Sequence, residues 1–351
     1  MHGRSTSAVP HDNNSLAELA YAYGLPQATG VMRLQAEDFQ VVERLSFVPD
    51  NEGSHALLQI RKRHSNTEQV ARFLARLAGV HSRDIGYAGL KDRHAETSQW
   101  FSVDLAGRQE PDWTQLDDES ISLLTVTRHR RKLRRGALRE NCFIITLRHL
   151  NADWRVLIER LQHIRQGGVP NYFGAQRFGH NNLAQAAALF AGRIQVRDRQ
   201  RRGLYLSAVR AWLFNQVASE RVKTGSWNTA LPGDIMMLNG SKSIFPCEAA
   251  DLQITARLQD GDIHPTGPLW GRGPLPTREL VAQQESEFLA NAAAWRTGLE
   301  AAGLKQQRRA LRVIPRALCW NFPAPNTLRL SFALPPGCYA TSVLRELVRS
   351  D

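Results

Sequence analysis

The chain has 351 residues, 42% of them hydrophobic, and sets 45 Lys and Arg against 33 Asp and Glu for a formal net charge of +12. That length suggests about two domains with a core each, and the basic excess, in which Arg outnumbers Lys, points to a polyanionic partner, nucleic acid first. Other classes are excluded: Cys142, Cys247, Cys319 and Cys338 form no C-x-x-C pair or zinc spacing and read as reduced thiols of a cytoplasmic protein, the first residues lack an apolar signal region, and no apolar run of ~18 residues is present to span a membrane.

Residues 1–20 read as a disordered leader. Short β-prone runs within 30–48 predict a strand or two, and 55–61 predicts another. The clearest helix follows: Asn66 with Gln69 forms a capping-box pattern, Val70, Phe73, Leu74 and Leu77 share one helical face, and Gly79 ends it. Strands are predicted at 85–91, 98–105, 123–127 and 142–147, with a polar surface loop at 108–119. Turn residues at 167–171 mark a change of character. From there to about 310 the pattern is mainly helical, with loops at 224–234 and 260–277 and a long amphipathic segment at 279–301. Strand-like sequence returns after 311, before a short helix at 340–349. Strands on both sides of a helical middle predict one domain inserted into another.

Three segments could carry chemistry. In 86–103, GYAGLKDRHAETSQWFSV, an apolar strand delivers Asp92 between Lys91 and Arg93, and neighbouring cations favour an ionised carboxylate, as a nucleophile or base requires; the same spacing also suits a surface turn whose Asp pairs with Arg. In 128–143, RHRRKLRRGALRENCF, the cations Arg130, Arg131, Lys132, Arg134 and Arg135 suit an RNA backbone or a solvated face. In 168–179, GVPNYFGAQRFG, aromatic rings and an Arg suit either base stacking or a packed loop. The chain has no G-x-G-x-x-G, H-E-x-x-H or G-x-S-x-G signature. A non-catalytic RNA-binding protein would share the charge but leave Asp92 without a task, and an RNA methyltransferase would need a glycine-rich nucleotide loop.

At these residues the sequence resembles the TruD family of tRNA pseudouridine synthases, from about residue 24 to the C-terminus. The matching segments, in the family's order, are AEDFQVVE, the Asn-Thr of HSNTEQVA, GYAGLKDRHAETSQW, RRKLRRGALRENCF, GVPNYFGAQRFG, LYLSAVRAWLFN and LPPGCYATSVLRE. The resemblance implies an α+β fold: a pseudouridine-synthase-like catalytic domain (21–166 and 311–351) with a mixed β-sheet and flanking helices, and an inserted, mainly helical α/β TRUD domain (167–310). It implies that Asp92 is the catalytic carboxylate and that Phe39, Asn141 and Phe332 match substrate-site positions. Arg33, Lys91 and Arg93 are candidate cations beside Asp92, with Arg33 favoured by the family pattern although Lys can occur there. The implied reaction turns uridine 13 in the D arm of a tRNA, such as that for glutamate, into pseudouridine. Nothing is oxidised and no group is transferred between molecules, so no cofactor or metal is expected; tRNA is the expected partner, and the protein is expected to be a cytoplasmic monomer.

Overall fold

The computed structural model describes residues 18–92 and 95–350, so Arg93 and nearly all of the expected leader lie outside the described residues. Strands β1 (Thr29–Met32), β2 (Phe39–Leu45) and β3 (His55–Lys62) precede helix α1 (Thr67–Leu77), and β4 (Ile85–Tyr87), β5 (Glu96–Asp104), β6 (Ile121–His129) and β7 (Leu138–Asn151) follow. Helix α2 (Trp154–Gly167) and β8 (Val169–Pro170) lead to α3 (Asn182–Phe190) and α4 (Arg199–Lys223). Then come β9 (Ile235–Leu238), β10 (Ile244–Pro246), α5 (Leu252–Gln259), β11 (Ile263–Leu269), α6 (Glu279–Phe288) and α7 (Ala293–Ala301). The chain closes with β12 (Gln307–Ala310), β13 (Arg312–Val313), β14 (Arg316–Ala324), β15 (Thr327–Leu334), α8 (Ala340–Leu344) and β16 (Arg349–Ser350).

Two units emerge. The first takes the described residues of Gln27–Leu157, Pro315–Gly337 and Val348–Asp351; the second takes those of Met1–Pro26, Ile158–Ile314 and Cys338–Leu347. The first unit is built on one mixed sheet in the order β14-β15-β7-β2-β5-β3-β6, with β1, β4 and β16 paired at its margins. Among the described residues, the parallel pairs of this sheet are β2–β5 and β1–β16. Alternation along the strands decides which side chains go inward: Ala56, Leu58 and Ile60 of β3 and Phe101 and Val103 of β5 pack under Val70, Ala71 and Leu74 of α1. That helix starts on the expected capping box, Asn66 Oδ1 accepting from the Gln69 amide and Gln69 Oε1 from the Asn66 amide, both at 2.9 Å. Gly79, at φ +61°, follows its C-cap, where a left-handed residue closes the last turn.

The second unit centres on α4, whose Leu206, Val209, Leu213, Phe214 and Val217 are buried with Tyr172, Phe173, Phe178 and Trp295. A four-stranded antiparallel sheet, β10-β9-β11-β12, lies in the same unit. Its interior holds two ion pairs, Arg221–Asp234 at 2.9 Å and Arg308–Glu285 at 2.6 Å.

Several local expectations change. The polar stretch 108–119 contains a 3-10 turn, Trp113–Leu116, that buries Trp113 and Leu116. Within the expected loop 260–277 lies the buried strand β11; its sequence, IHPTGPL, carries two prolines and a glycine that disguise it as a turn, yet Pro265 and Pro268 occupy register positions opposite Met236 and Arg308. The segment 279–301 is not one helix: it breaks into α6, a 3-10 turn and α7 around buried Leu289 and Ala292. Residues 338–347 belong to the second unit. There Arg345 donates to the Leu19 and Ala20 carbonyls, and Glu346 accepts the Ala22 amide. Among the described residues no helix is long and apolar enough to cross a membrane.

Candidate active site

The sheet register gathers the expected residues on one face. Phe39, Val41 and Glu43 of β2 lie opposite Ile145, Phe143 and Asn141 of β7, and Leu330, Phe332 and Leu334 of β15 lie opposite the same three. Directly opposed residues share a face, so Phe39, Phe143 and Phe332 form one aromatic floor with Asn141 and Glu43 at its edge. The Phe143 ring stacks on Phe332 (centroids 5.4 Å, 27°) and meets Phe39 edge-on (6.2 Å, 74°). Phe39 and Phe332 are almost fully buried, at 5% and 2% exposure. The segment before Phe39 is clamped: Arg148 forks onto the Asp38 carboxylate at 2.8–3.0 Å, and Arg63 bridges Glu37 and Glu96.

Asp92 lies on the turn after β4, its side chain 24% exposed, and its carboxylate meets Arg33 Nη1 at 3.2 Å. The Arg33 guanidinium also lies over the Phe39 ring, 4.1 Å from the centroid. Arg33 adopts φ +59°, a left-handed conformation that costs an L-residue roughly 1–2 kcal/mol. Backbone strain of this kind collects at functional positions.

The turn itself is held from below. The Lys91 amide donates to Thr67 Oγ1 at 3.0 Å, Thr67 donates to Gln99 Oε1 at 2.9 Å, and Gln99 donates to the Gly89 carbonyl at 2.6 Å. The Lys91 ammonium pairs with Glu43 and not with Asp92; Glu43 is buried and also accepts the Trp100 amide at 3.0 Å. Burial raises the Glu43 carboxyl above the usual range, against the pull of Lys91. Gly86, in β4 before the turn, serves internal packing: a Cβ there would lie 2.4 Å from the Leu133 carbonyl oxygen.

Lys62 is fully buried and donates to the Ser65 carbonyl at 2.6 Å and to the Asp92 carbonyl at 3.3 Å. Burial pulls its ammonium down to about 8 from 10.5, the neighbouring Asp92 opposing the shift. The unfolded chain therefore binds more protons than the folded one between pH 8 and 10.5, so this group favours folding increasingly as pH rises through that window. We expect the melting temperature of wild type, relative to Lys62→Met, to rise between pH 8 and 10; parallel thermal melts check this, and parallel pH profiles would show that Lys62 is not the group responsible.

Sequence reading missed Glu43 and Lys62, although a signal existed. Glu43 continues the inward phase of Phe39 and Val41, and Lys62 that of Leu58 and Ile60; a charge on the inward phase of an apolar strand needs a buried partner. Asn141 holds a related clue: its Oδ1 is buried and has no hydrogen-bond partner among the described residues. A buried amide edge left in that state costs roughly 1–3 kcal/mol, which a bound donor would recover.

The cationic run after β6 is divided. Arg130 pairs with Glu52 and Lys132 donates to the Arg83 carbonyl, while Arg131, Arg134 and Arg135 are exposed and make no ion pair among the described residues. The motif at 168–179 takes its packed reading, with Tyr172, Phe173 and Phe178 in the core of the second unit. A separate concavity of about 650 Å³ is lined by Trp154 and residues 322–326, none of them titratable. No cluster of three or more His, Cys, Asp or Glu suited to a metal occurs among the described residues.

Comparison with known proteins bears on this geometry. A family model described as tRNA pseudouridine synthase D (TruD) matches residues 16–193 and 180–347. The tRNA pseudouridine synthase D of Nitrosococcus oceani is 51% identical over 337 residues, covering 95% of this chain and 94% of the relative. That of Methylococcus capsulatus is 49% identical, covering 95% of each. A crystal structure from Methanosarcina mazei assigned to tRNA pseudouridine synthase D superposes with a TM-score of 0.73 at 21% identity, covering 96% of this chain and 97% of that one, and shares its fold.

Proposed function

The chain belongs to the TruD family of tRNA pseudouridine synthases, and from that premise we propose that it isomerises uridine 13 in the D arm of tRNA, tRNA for glutamate among its substrates, with Asp92 as the catalytic carboxylate. The observation that carries the reading is the Asp92 carboxylate: partly exposed, paired with Arg33, and connected through that guanidinium to the aromatic floor of Phe39, Phe143 and Phe332.

The reaction breaks the N1–C1′ bond of uridine, turns the uracil, and joins C5 to C1′. The proton leaving C5 is matched by the one gained at N1, so atoms and electrons balance without a cofactor. Uracil cannot turn inside a stacked helix, and flipping it out costs a few kcal/mol. Phosphate contacts to exposed cations such as Arg131, Arg134 and Arg135 offset that cost. The flipped base lies at the Phe39 edge of the floor, the Arg33 guanidinium moving off the ring to admit it. The Asn141 amide takes a polar edge of the uracil, whose N3–H suits its orphaned oxygen. Asp92 then acts at the ribose, by attack on C1′ to give an acylal or by removal of the C2′ proton to give a glycal; both routes use it as a carboxylate. Lys91, paired with Glu43, holds the turn and acts on substrate only through it.

The test is pseudouridine mapping on unmodified tRNA transcripts incubated with purified protein. Modification at position 13 of the glutamate transcript is expected with no added metal or nucleotide. Modification confined to another position would overturn the site, and none on any tRNA would overturn the activity.

A further inference from the structure

We propose that Arg193, Arg197, Arg199, Arg201 and Arg202, between the end of α3 and the first turns of α4, form a second phosphate-binding surface, on the helical unit, that grips the backbone of the substrate tRNA. The proposal rests on the function above. It goes beyond it by assigning RNA contact to a surface separate from the Asp92 site and from the run at 130–135.

All five arginines are exposed, and none of their guanidinium groups makes an ion pair or hydrogen bond among the described residues. The run at 128–135 is only partly free in this way: Arg128, Arg130 and Lys132 are engaged by Glu110, Glu52 and the Arg83 carbonyl, and Arg131, Arg134 and Arg135 make no ion pair among the described residues. The single acid in the stretch, Asp198, caps α4 by accepting the amides of Gln200 at 2.8 Å and Arg201 at 3.4 Å. Five like charges crowd ten residues, and Arg199, Arg201 and Arg202 fall in the opening turns of a 25-residue helix whose first turn holds no acid.

Local stability disfavours this arrangement. The peptide dipoles put positive charge at the start of a helix, so each cation there is unfavourable by roughly 0.3–1 kcal/mol, and the arginines also repel one another. An ordinary solvated face would mix signs or place acids in that turn. A polyanion reverses each of these effects: phosphates are drawn by the guanidinium forks and the helix dipole together. The partner of that chemistry is the RNA on which the enzyme acts.

Stability and binding should therefore move in opposite directions on charge reversal. The triple variant R199E/R201E/R202E should melt at or above the wild-type temperature, because acids suit the opening turns of a helix. It should bind an unmodified tRNA transcript at least tenfold more weakly, and the loss should appear in KM. The slope of log K against log salt should fall by roughly 0.7–0.9 for each phosphate that the variant no longer neutralises. Unchanged affinity and slope would overturn the proposal and leave the patch a solvated face. Should the reversed variant melt lower, replacement of all five arginines by Gln decides the matter: a weakened, flatter salt dependence supports the surface and wild-type binding overturns it. Pseudouridine formation by wild type on the same transcript is followed in parallel; its absence would defeat the proposed function, whereas its presence with an unaffected variant would defeat only this surface.

Discussion

Asp92→Asn should abolish pseudouridine formation while leaving tRNA binding within a few-fold of wild type. The substitution is nearly isosteric and keeps the turn, whose supports run through main-chain atoms of Gly89, Lys91 and Asp92 to Gln99, Thr67 and Lys62. It removes the anion, and an amide is neither a nucleophile nor a general base at neutral pH. The loss should be on the order of 10⁴-fold or more, the scale seen when a nucleophile is deleted elsewhere. Stability should change by no more than about 1 kcal/mol, because both partners of the Arg33–Asp92 pair are about a quarter exposed and such pairs are weak. Tritium release from tRNA labelled at uridine C5, with binding measured beside it, is the test. Substantial release would remove Asp92 from the chemistry; joint loss of binding and thermal stability would make it a structural turn residue.

Glu43→Leu should produce the largest loss of stability at the site. Its carboxylate is buried and neutralises the Lys91 ammonium, which is itself only 9% exposed. Removing one partner leaves an uncompensated buried charge, worth roughly 3–5 kcal/mol. Removing both is far milder, because apolar side chains of similar size occupy such a site well; Glu43→Leu with Lys91→Met should recover most of the loss. Denaturant titrations of the two single variants and the double variant give the coupling. A single variant within 1 kcal/mol of wild type, or a double variant as unstable as the sum of the singles, would show that the pair does not hold the turn. The reaction then separates roles: if the double variant regains stability and activity together, Lys91 acts only by holding the turn.

The strands and α1 were legible because their signals are local. Short β-prone runs marked β2, β3 and β5, and the Asn66–Gln69 box with Gly79 marked both ends of α1. The same local reading failed where tertiary burial overrides composition. Strand β11 is buried despite two prolines, and Trp113 and Leu116 turn inward from an acidic stretch. Residues 338–347 take their partners Leu19, Ala20 and Ala22 from the other end of the chain, a contact that no local pattern encodes.

By itself the sequence determined the family, the basic character and the short motif that carries Asp92, since each depends on residue identity and order alone. Only the tertiary structure decided which cation meets which carboxylate. Lys91 is adjacent to Asp92 in sequence yet turns to Glu43, while Arg33, from a distant loop, takes Asp92 through a left-handed backbone. The reason is physical: a buried charge needs a partner, and Glu43, turned inward on β2, supplies one to Lys91 from a segment far away in sequence, which no reading of a single segment contains.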